Sequence, residues 1–243
     1  MTNTKDKNFK IFIDFDGTIT QQDVGEQFFL KFGDADEAYR IIKLWLEGKI
    51  NSKETWIRLS ATVNNLDLNE LDAFLNEMFI DPHFTDFVKF AEENNFQLVI
   101  LSDGLNYYID NILKRENLDY IKTYSNEVKF GENNEMILSF PYEDEECKDC
   151  ANCKRNHVIN HSGDEEISIY IGDGYSDVCP AQFCDFIFAK RSLLKYCEKN
   201  RITYYPFTTF RDVQKRIEVL KNKTFVKKRH QAQLKRQEVY SQG

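Results

Sequence analysis

The chain is predicted to be an α/β protein: a doubly wound parallel sheet with a four-helix block inserted after the first strand. Three observations predict this. First, short apolar runs, "KIFIDFD", "FQLVILSDG", "ISIYIGDG" and "FCDFIFA", recur along the 243 residues with helical patterns between most of them. Such runs read as strands buried on both faces, and their alternation with helices implies a parallel sheet. Second, no strand candidate interrupts residues 23–79. Third, three of the runs end in polar residues, always on the C-terminal side, where open parallel sheets bind their ligands.

In order, "KIFIDFD" is the first buried strand, with Asp14 and Asp16 at its end. Helical spacing then takes over: Phe28, Phe29 and Phe32; Ile41, Ile42, Trp45 and Leu46; Trp56, Leu59 and Val63; Leu68, Leu71, Phe74, Leu75 and Met78. These are four amphipathic helices divided by "FGDAD", "EGKINSKE" and "NNLD". A helix over Pro82–Asn94 follows, with Pro82 in its first turn and Asp81 as its cap. "FQLVILSDG" is the next strand and Leu105–Arg115 the next helix. "YIKTYSNEVKF" and "EMILSF" form a hairpin. A loop of acids and cysteines, "PYEDEECKDCANC", leads to a short helix over Arg155–His161. "ISIYIGDG" and "FCDFIFA" are the third and fourth buried strands, and helices alternate with them to about Leu220. The domain boundaries expected are 9–22 with 80–220 for the sheet domain, 23–79 for a helical cap, and 221–243 for a basic tail.

The net charge is −8, yet from Lys221 onward seven Lys or Arg face Glu238 alone. The body is therefore acidic, which argues against a nucleic-acid surface there. The tail "KKRHQAQLKRQ" reads as a solvated helix or disordered end. No apolar run approaches the roughly 20 residues of a membrane helix, and the start, "MTNTKDKNFK", is polar, so a cytoplasmic protein with no membrane partner is expected. Six cysteines in that setting are thiols or metal ligands, not a disulfide framework.

The strand ends carry the chemistry. Asp14 and Asp16 end the first run, Ser102 and Asp103 the second, and Asp173, with Asp177 four residues on, the third. In a parallel sheet these ends point the same way. Crowded carboxylates raise one another's pKa unless a cation is present. A hard divalent ion, Mg²⁺, suits such an oxygen site. Mg²⁺ beside a carboxylate nucleophile and a lysine suits phosphate esters. A second carboxyl two residues on can protonate the leaving alkoxide and then activate water. Glycines at 17, 104, 172 and 174 let the backbone approach a ligand closely. Of Lys122, Lys129, Lys148 and Lys154, the last stands directly before the helix leading into the third strand, while Lys148 sits among acids as a solvated charge.

"DFDGT", "LSDG", a lysine and "GDGYSD", in this order, resemble the four motifs of the haloacid-dehalogenase (HAD) phosphatases. An all-helical insert after the first motif resembles the cap subclass that includes the phosphoserine phosphatases. "CKDCANCK" and "YPFTTFRDV" resemble the 2-hydroxy-3-keto-5-methylthiopentenyl-1-phosphate phosphatases of methionine salvage, from which "LSDG" and "GDGYSD" depart. The resemblance covers about residues 9–220. It implies a Rossmann-like core and an Mg²⁺-dependent phosphomonoesterase acting on a small metabolite. Asp14 would be the nucleophile and Asp16 the general acid/base. Ser102, Asp103, Gly104 and Lys154 would hold phosphate. Asp14, Asp16 (through its carbonyl) and Asp173 would hold the metal, with Asp177 on a metal water or on the lysine. Asp23 matches the position where phosphoserine phosphatases carry a substrate-reading glutamate. Phosphoserine or another amino-alcohol phosphate is the alternative substrate. A phosphotransferase or mutase would use the same aspartyl-phosphate.

Cys147, Cys150, Cys153 and His157 form C-x2-C-x2-C-x3-H. The spacing fits a structural Zn²⁺ site, resembles the first three ligands of a ferredoxin run, or belongs to a loop of reduced thiols.

Overall fold

The computed structural model describes residues 7–163 and 165–242; the polar start before Lys7 lies outside them. In chain order the elements are β1 (Phe9–Ile13), α1 (Val24–Phe32), α2 (Ala35–Leu46), α3 (Ser52–Ser60), α4 (Leu68–Asn76), α5 (Phe84–Glu93), β2 (Gln97–Leu105), α6 (Asn106–Arg115), β3 (Lys122–Phe130), β4 (Met136–Ser139), α7 (Lys154–His161), β5 (Ile167–Gly172), α8 (Val178–Ala181), β6 (Phe186–Ala189), α9 (Arg191–Lys199), β7 (Tyr205–Pro206), α10 (Phe210–Lys221) and α11 (His230–Gln242). The α/β alternation is the one the apolar runs predict. The chain divides into two compact units.

The first unit holds the described residues up to Asp14, residues 81–100, and those from Lys154 on. Its strands run in the order β2-β1-β5-β6-β7, and every pairing is parallel. Ile13 pairs with both Ile100 and Ile171, and Gly172 pairs with Ala189, which aligns the C-terminal ends of β1, β5 and β6. All six residues of β5 are buried. Helices α5 and α10 pack through Phe84, Phe87 and Phe210, with the Phe84 and Phe210 rings 4.7 Å apart. Asp81, expected to cap α5, instead accepts from the N–H groups of His83 (2.8 Å) and Phe210 (3.3 Å), tying the α5 approach to the start of α10.

The basic tail stays largely exposed but is anchored to this unit through two of its arginines. Arg229 donates to the carbonyls of Ala181, Gln182 and Cys184. Arg236 pairs with Asp185 (3.0 Å), and Ala232 is buried. α11 shows no apolar period; it is held by Arg236 within it and by Arg229 just before it, whose guanidinium meets carbonyls at the end of α8.

The second unit holds residues 15–80 and 101–153. Its helices α1–α4 are the four expected. Each begins at an Asp or Asn whose side chain accepts from the first turn: Asp23, Asp34, Asn51 and Asp67. Aromatic side chains join them, Phe29 on Trp56 (5.7 Å between centroids) and Phe32 on Phe74 (5.5 Å). β3 and β4 form the expected antiparallel hairpin, in the order β4-β3-β2 with the end of β2.

Candidate active site

In the first unit, Asp14 follows β1 and donates its N–H to the carbonyl of Ile171 (2.9 Å), which fixes it beside the end of β5. Lys154, the first residue of α7, is buried and reaches Asp14 Oδ1 at 2.6 Å, Asp177 Oδ1 at 2.8 Å and the Ser176 hydroxyl at 3.1 Å. Lys148, by contrast, is exposed. Burial alone would pull the Lys154 ammonium down, but Asp14 and Asp177 outweigh it and hold the pKa above its usual value. Lys154 is therefore a permanent cation.

Asp177 accepts four hydrogen bonds. Oδ1 takes Lys154 and the Tyr170 hydroxyl (2.7 Å); Oδ2 takes the N–H groups of Asp173 and Gly174, both at 2.9 Å. Four is about the capacity of a carboxylate. Asp177 is thus placed to orient the lysine and the loop after β5. A Cβ on Gly172 would lie 2.5 Å from Asp177 Oδ2, so only glycine permits this packing. Asp173 pairs with Arg191 (2.9 Å), a residue with φ of 47° held in the left-handed region.

Carboxylate oxygens of Asp14, Asp173 and Asp177 lie within 4.8 Å of one another, and all three residues are buried. Burial, then repulsion by Asp177, raises the Asp14 pKa well above the carboxylate range against the pull of Lys154; burial and Asp177 likewise raise Asp173. Lys154, Arg191 and Lys190 act on these acids, yet Asp14 and Asp173 stay raised, and oxygen donors this close fit a hard divalent cation. Asp14 and Asp173 have the coordination capacity for it that Asp177 lacks.

In the second unit, Asp16 sits in a turn over Phe15–Ile19 that needs Gly17 at φ 70°. Its Oδ2 accepts from the Tyr108 hydroxyl (2.8 Å) and the Ser102 hydroxyl (3.2 Å), and its Oδ1 from the N–H of Val24 (3.0 Å). Burial and then the Asp23 charge push the Asp16 pKa up to about 7, against those three hydrogen bonds. Ser102 Oγ also accepts from the Gly104 N–H (2.9 Å). A side chain at Gly104 would strike Tyr108 and Asp16. Asp23 is exposed and caps α1, accepting from the Glu26 N–H at 2.8 Å.

Asp103 is a junction. Its Oδ2 accepts from the Ser52 hydroxyl at the start of α3, and its Oδ1 from the Asn152 N–H (2.9 Å). Asn126 donates to its carbonyl (2.6 Å). Its carboxylate is therefore engaged by protein groups.

A zinc site at the cysteine loop finds no support in the placement of its ligand atoms. Among the described residues, Asp14, Asp173 and Asp177 are the group whose ligand atoms converge; Cys147, Cys150, Cys153 and His157 form none. The loop is held by hydrogen bonds instead. Asp144 accepts from the Cys147 N–H (3.2 Å) and its Oδ2 lies 3.8 Å from Cys153 Sγ. The buried Asn152 amide donates to the carbonyls of Ser102 (2.7 Å) and Tyr124 (3.1 Å). Asn152 thereby ties the cysteine loop to the backbone of β2 and β3.

The sequence reading missed Tyr108, Tyr170, Asn152, Ser52 and Arg191. Tyr170 had a signal: a tyrosine within a strand buried along its whole length must find a partner for its hydroxyl. Arg191 had one too, since it follows the end of the fourth strand. Asn152, Ser52 and Tyr108 had none, because their partners are distant in sequence.

A family model described as "Putative Phosphatase" matches residues 9–206. The chain is 32% identical over 209 residues to the 2-hydroxy-3-keto-5-methylthiopentenyl-1-phosphate phosphatase of Bacillus mycoides (strain KBAB4), covering 85% of this chain and 94% of that one. A solved structure titled as a phospho-aspartyl intermediate analogue of phosphoserine phosphatase aligns with a TM-score of 0.68 at 16% identity, over 87% of this chain and 99% of that one. A HAD family hydrolase from Salmonella enterica subsp. enterica serovar Typhi aligns with a TM-score of 0.64 at 18% identity; the match covers 78% of this chain and spans 65% of that protein's length. At those identities the two structures show the fold alone. Fold, motifs and relatives together define the class, a phosphoric monoester hydrolase of the haloacid-dehalogenase type. The chain belongs to the family of that class described as Putative Phosphatase.

Proposed function

We propose that the chain hydrolyses a small-metabolite phosphate monoester through an aspartyl-phosphate, with a methionine-salvage 2-hydroxy-3-keto-5-methylthiopentenyl-1-phosphate as the substrate and Mg²⁺ as the cofactor. The observation that carries this reading is the buried Lys154 bridging Asp14 and Asp177, in a chain where Asp16 follows Asp14 by two residues. Asp14 Oδ1 is held by Lys154, which leaves Oδ2 to attack phosphorus in line. The P–O bond to the alcohol breaks, and Asp16, a carboxylic acid below pH about 7, gives the leaving oxygen its proton. Asp16, now ionised, takes a proton from water as that water attacks the phosphorus; inorganic phosphate leaves and the Asp14 carboxylate is restored. Lys154 neutralises phosphate oxygens while Asp177 and Tyr170 keep its ammonium in place. Mg²⁺, bound by Asp14, Asp173 and the carbonyl of Asp16, would supply the positive charge that the acid cluster lacks and that a phosphate dianion needs.

Ser102 and the N–H groups of Asp103 and Gly104 serve as phosphate contacts. Residues 23–79 serve as a cap to a core of 9–22 and 80–220, with 221–243 as a docked tail, and the enzyme works in the cytoplasm. The substrate follows the relatives named for the salvage phosphate. The test is release of inorganic phosphate from a metabolite panel with Mg²⁺. The salvage phosphate should give the highest kcat/KM. Preference for phosphoserine would reassign the substrate, and transfer to a second alcohol without free phosphate would reassign the reaction.

A further inference from the structure

The first unit contains a cavity of about 480 Å³, within the range of small-molecule sites. It lies under the segment that joins α10 to α11. Phe186, Tyr205 and Phe225 line it with aromatic rings, and Lys223, Lys227 and His230 line it with cationic or titratable groups. Its floor is the start of β6. The candidate catalytic acids follow the ends of β1 and β5, level with Ala189 at the other end of β6. Roughly 10 Å of strand separates the two places.

Two of the cations lining this cavity, Lys223 and Lys227, pair with no acid among the described residues. Asp185 is the acid that lines it, and its carboxylate is engaged by Arg236 and by the N–H and hydroxyl of Ser168. Arg229 is engaged by backbone carbonyls. Among the described residues, neither Lys223 nor Lys227 has a carboxylate partner. Arg216 stacks 4.1 Å over the Tyr205 ring, and its buried Nε has no hydrogen-bond partner, which adds further positive potential. The first turn of α11 begins at His230 and contributes in the same sense. Phe225 is 78% exposed, an aromatic ring left uncovered beside the lysines. A cation-rich cavity with an uncovered ring is complementary to one kind of ligand: a planar apolar ring bearing a negative group.

We infer that this cavity is a second, non-catalytic binding site for a small aromatic anion, with Lys223 and Lys227 taking the anionic group and Phe225 covering the ring. The probe is 1-naphthalenesulfonate, which a phosphatase cannot hydrolyse, titrated calorimetrically into the full chain at low salt, with sulfate as the ring-free control. One equivalent should bind, at least tenfold more tightly than sulfate. The double change Lys223→Glu with Lys227→Glu should weaken it at least tenfold, and Phe225→Ala should weaken it while leaving sulfate binding unchanged. All three side chains are exposed, so the variants should fold and keep full phosphatase activity. Equal binding to the double variant, or displacement of the probe by vanadate under turnover conditions, would overturn the assignment.

Discussion

Asp177→Asn is the most informative single change. Asparagine keeps the volume but replaces one oxygen by a donor. If its remaining oxygen keeps the Asp173 and Gly174 N–H groups, its amide turns toward the Lys154 ammonium, donor against donor. If it turns the other way, two backbone N–H groups lose their acceptor. Either way buried donors lose their acceptor, which costs about 1–3 kcal/mol. Lys154 keeps only Asp14, and ~1 Å of displacement of a reacting group costs on the order of a hundredfold in rate. Urea unfolding of metal-free protein should show the loss in stability, and phosphate release with Mg²⁺ the loss in kcat. Asp14→Asn is the contrast. It removes a charge whose pKa is raised by burial, by Asp177 and by Asp173, and it leaves Lys154 paired with Asp177. That variant should be as stable as the parent or more so, with no turnover. An Asp177→Asn protein within about 1 kcal/mol of the parent would refute the view that this residue anchors the lysine.

Other outcomes follow from the same geometry. Asp14, Asp16 and Asp173 all have folded pKa values above their unfolded ones, so without metal these groups lower stability as pH rises through the interval between the two. Mg²⁺ should therefore raise the melting temperature more at pH 8 than at pH 5; an equal rise at both would contradict the acid-cluster site. Asp23→Asn keeps the α1 cap but removes the charge that helps push Asp16 up to about 7, so the alkaline limb of the kcat/KM profile should move to lower pH. A limb that stays in place would mean that Asp16 is not the acid. Cys150→Ser should be close to neutral in stability and rate, whereas Asn152→Ala removes the buried donor to two carbonyls and should cost ~1–3 kcal/mol by urea unfolding, with a fall in kcat. A large loss from the cysteine change and none from the asparagine change would favour a metal held by the cysteine loop.

Most of the fold was legible because it rests on local regularities. Apolar runs marked the buried strands, and helical spacing of apolar residues marked the four inserted helices, each of which begins at an Asp or Asn cap in the structure. The acids Asp14 and Asp173 were legible because buried parallel strands leave polar residues only at their ends. The tertiary structure decided what no period encodes. It buried Lys154, already singled out by its place before α7, between two carboxylates, and it made Asp177 the anchor of that lysine through Tyr170 and two backbone N–H groups. It gave the cysteine loop to Asn152, Asp103 and Asp144, and it docked the tail through Arg229 and Arg236. Each of these is a hydrogen bond or ion pair between residues far apart in sequence. Its strength depends on burial and on which orphan donor or acceptor lies opposite, and only the folded chain determines those.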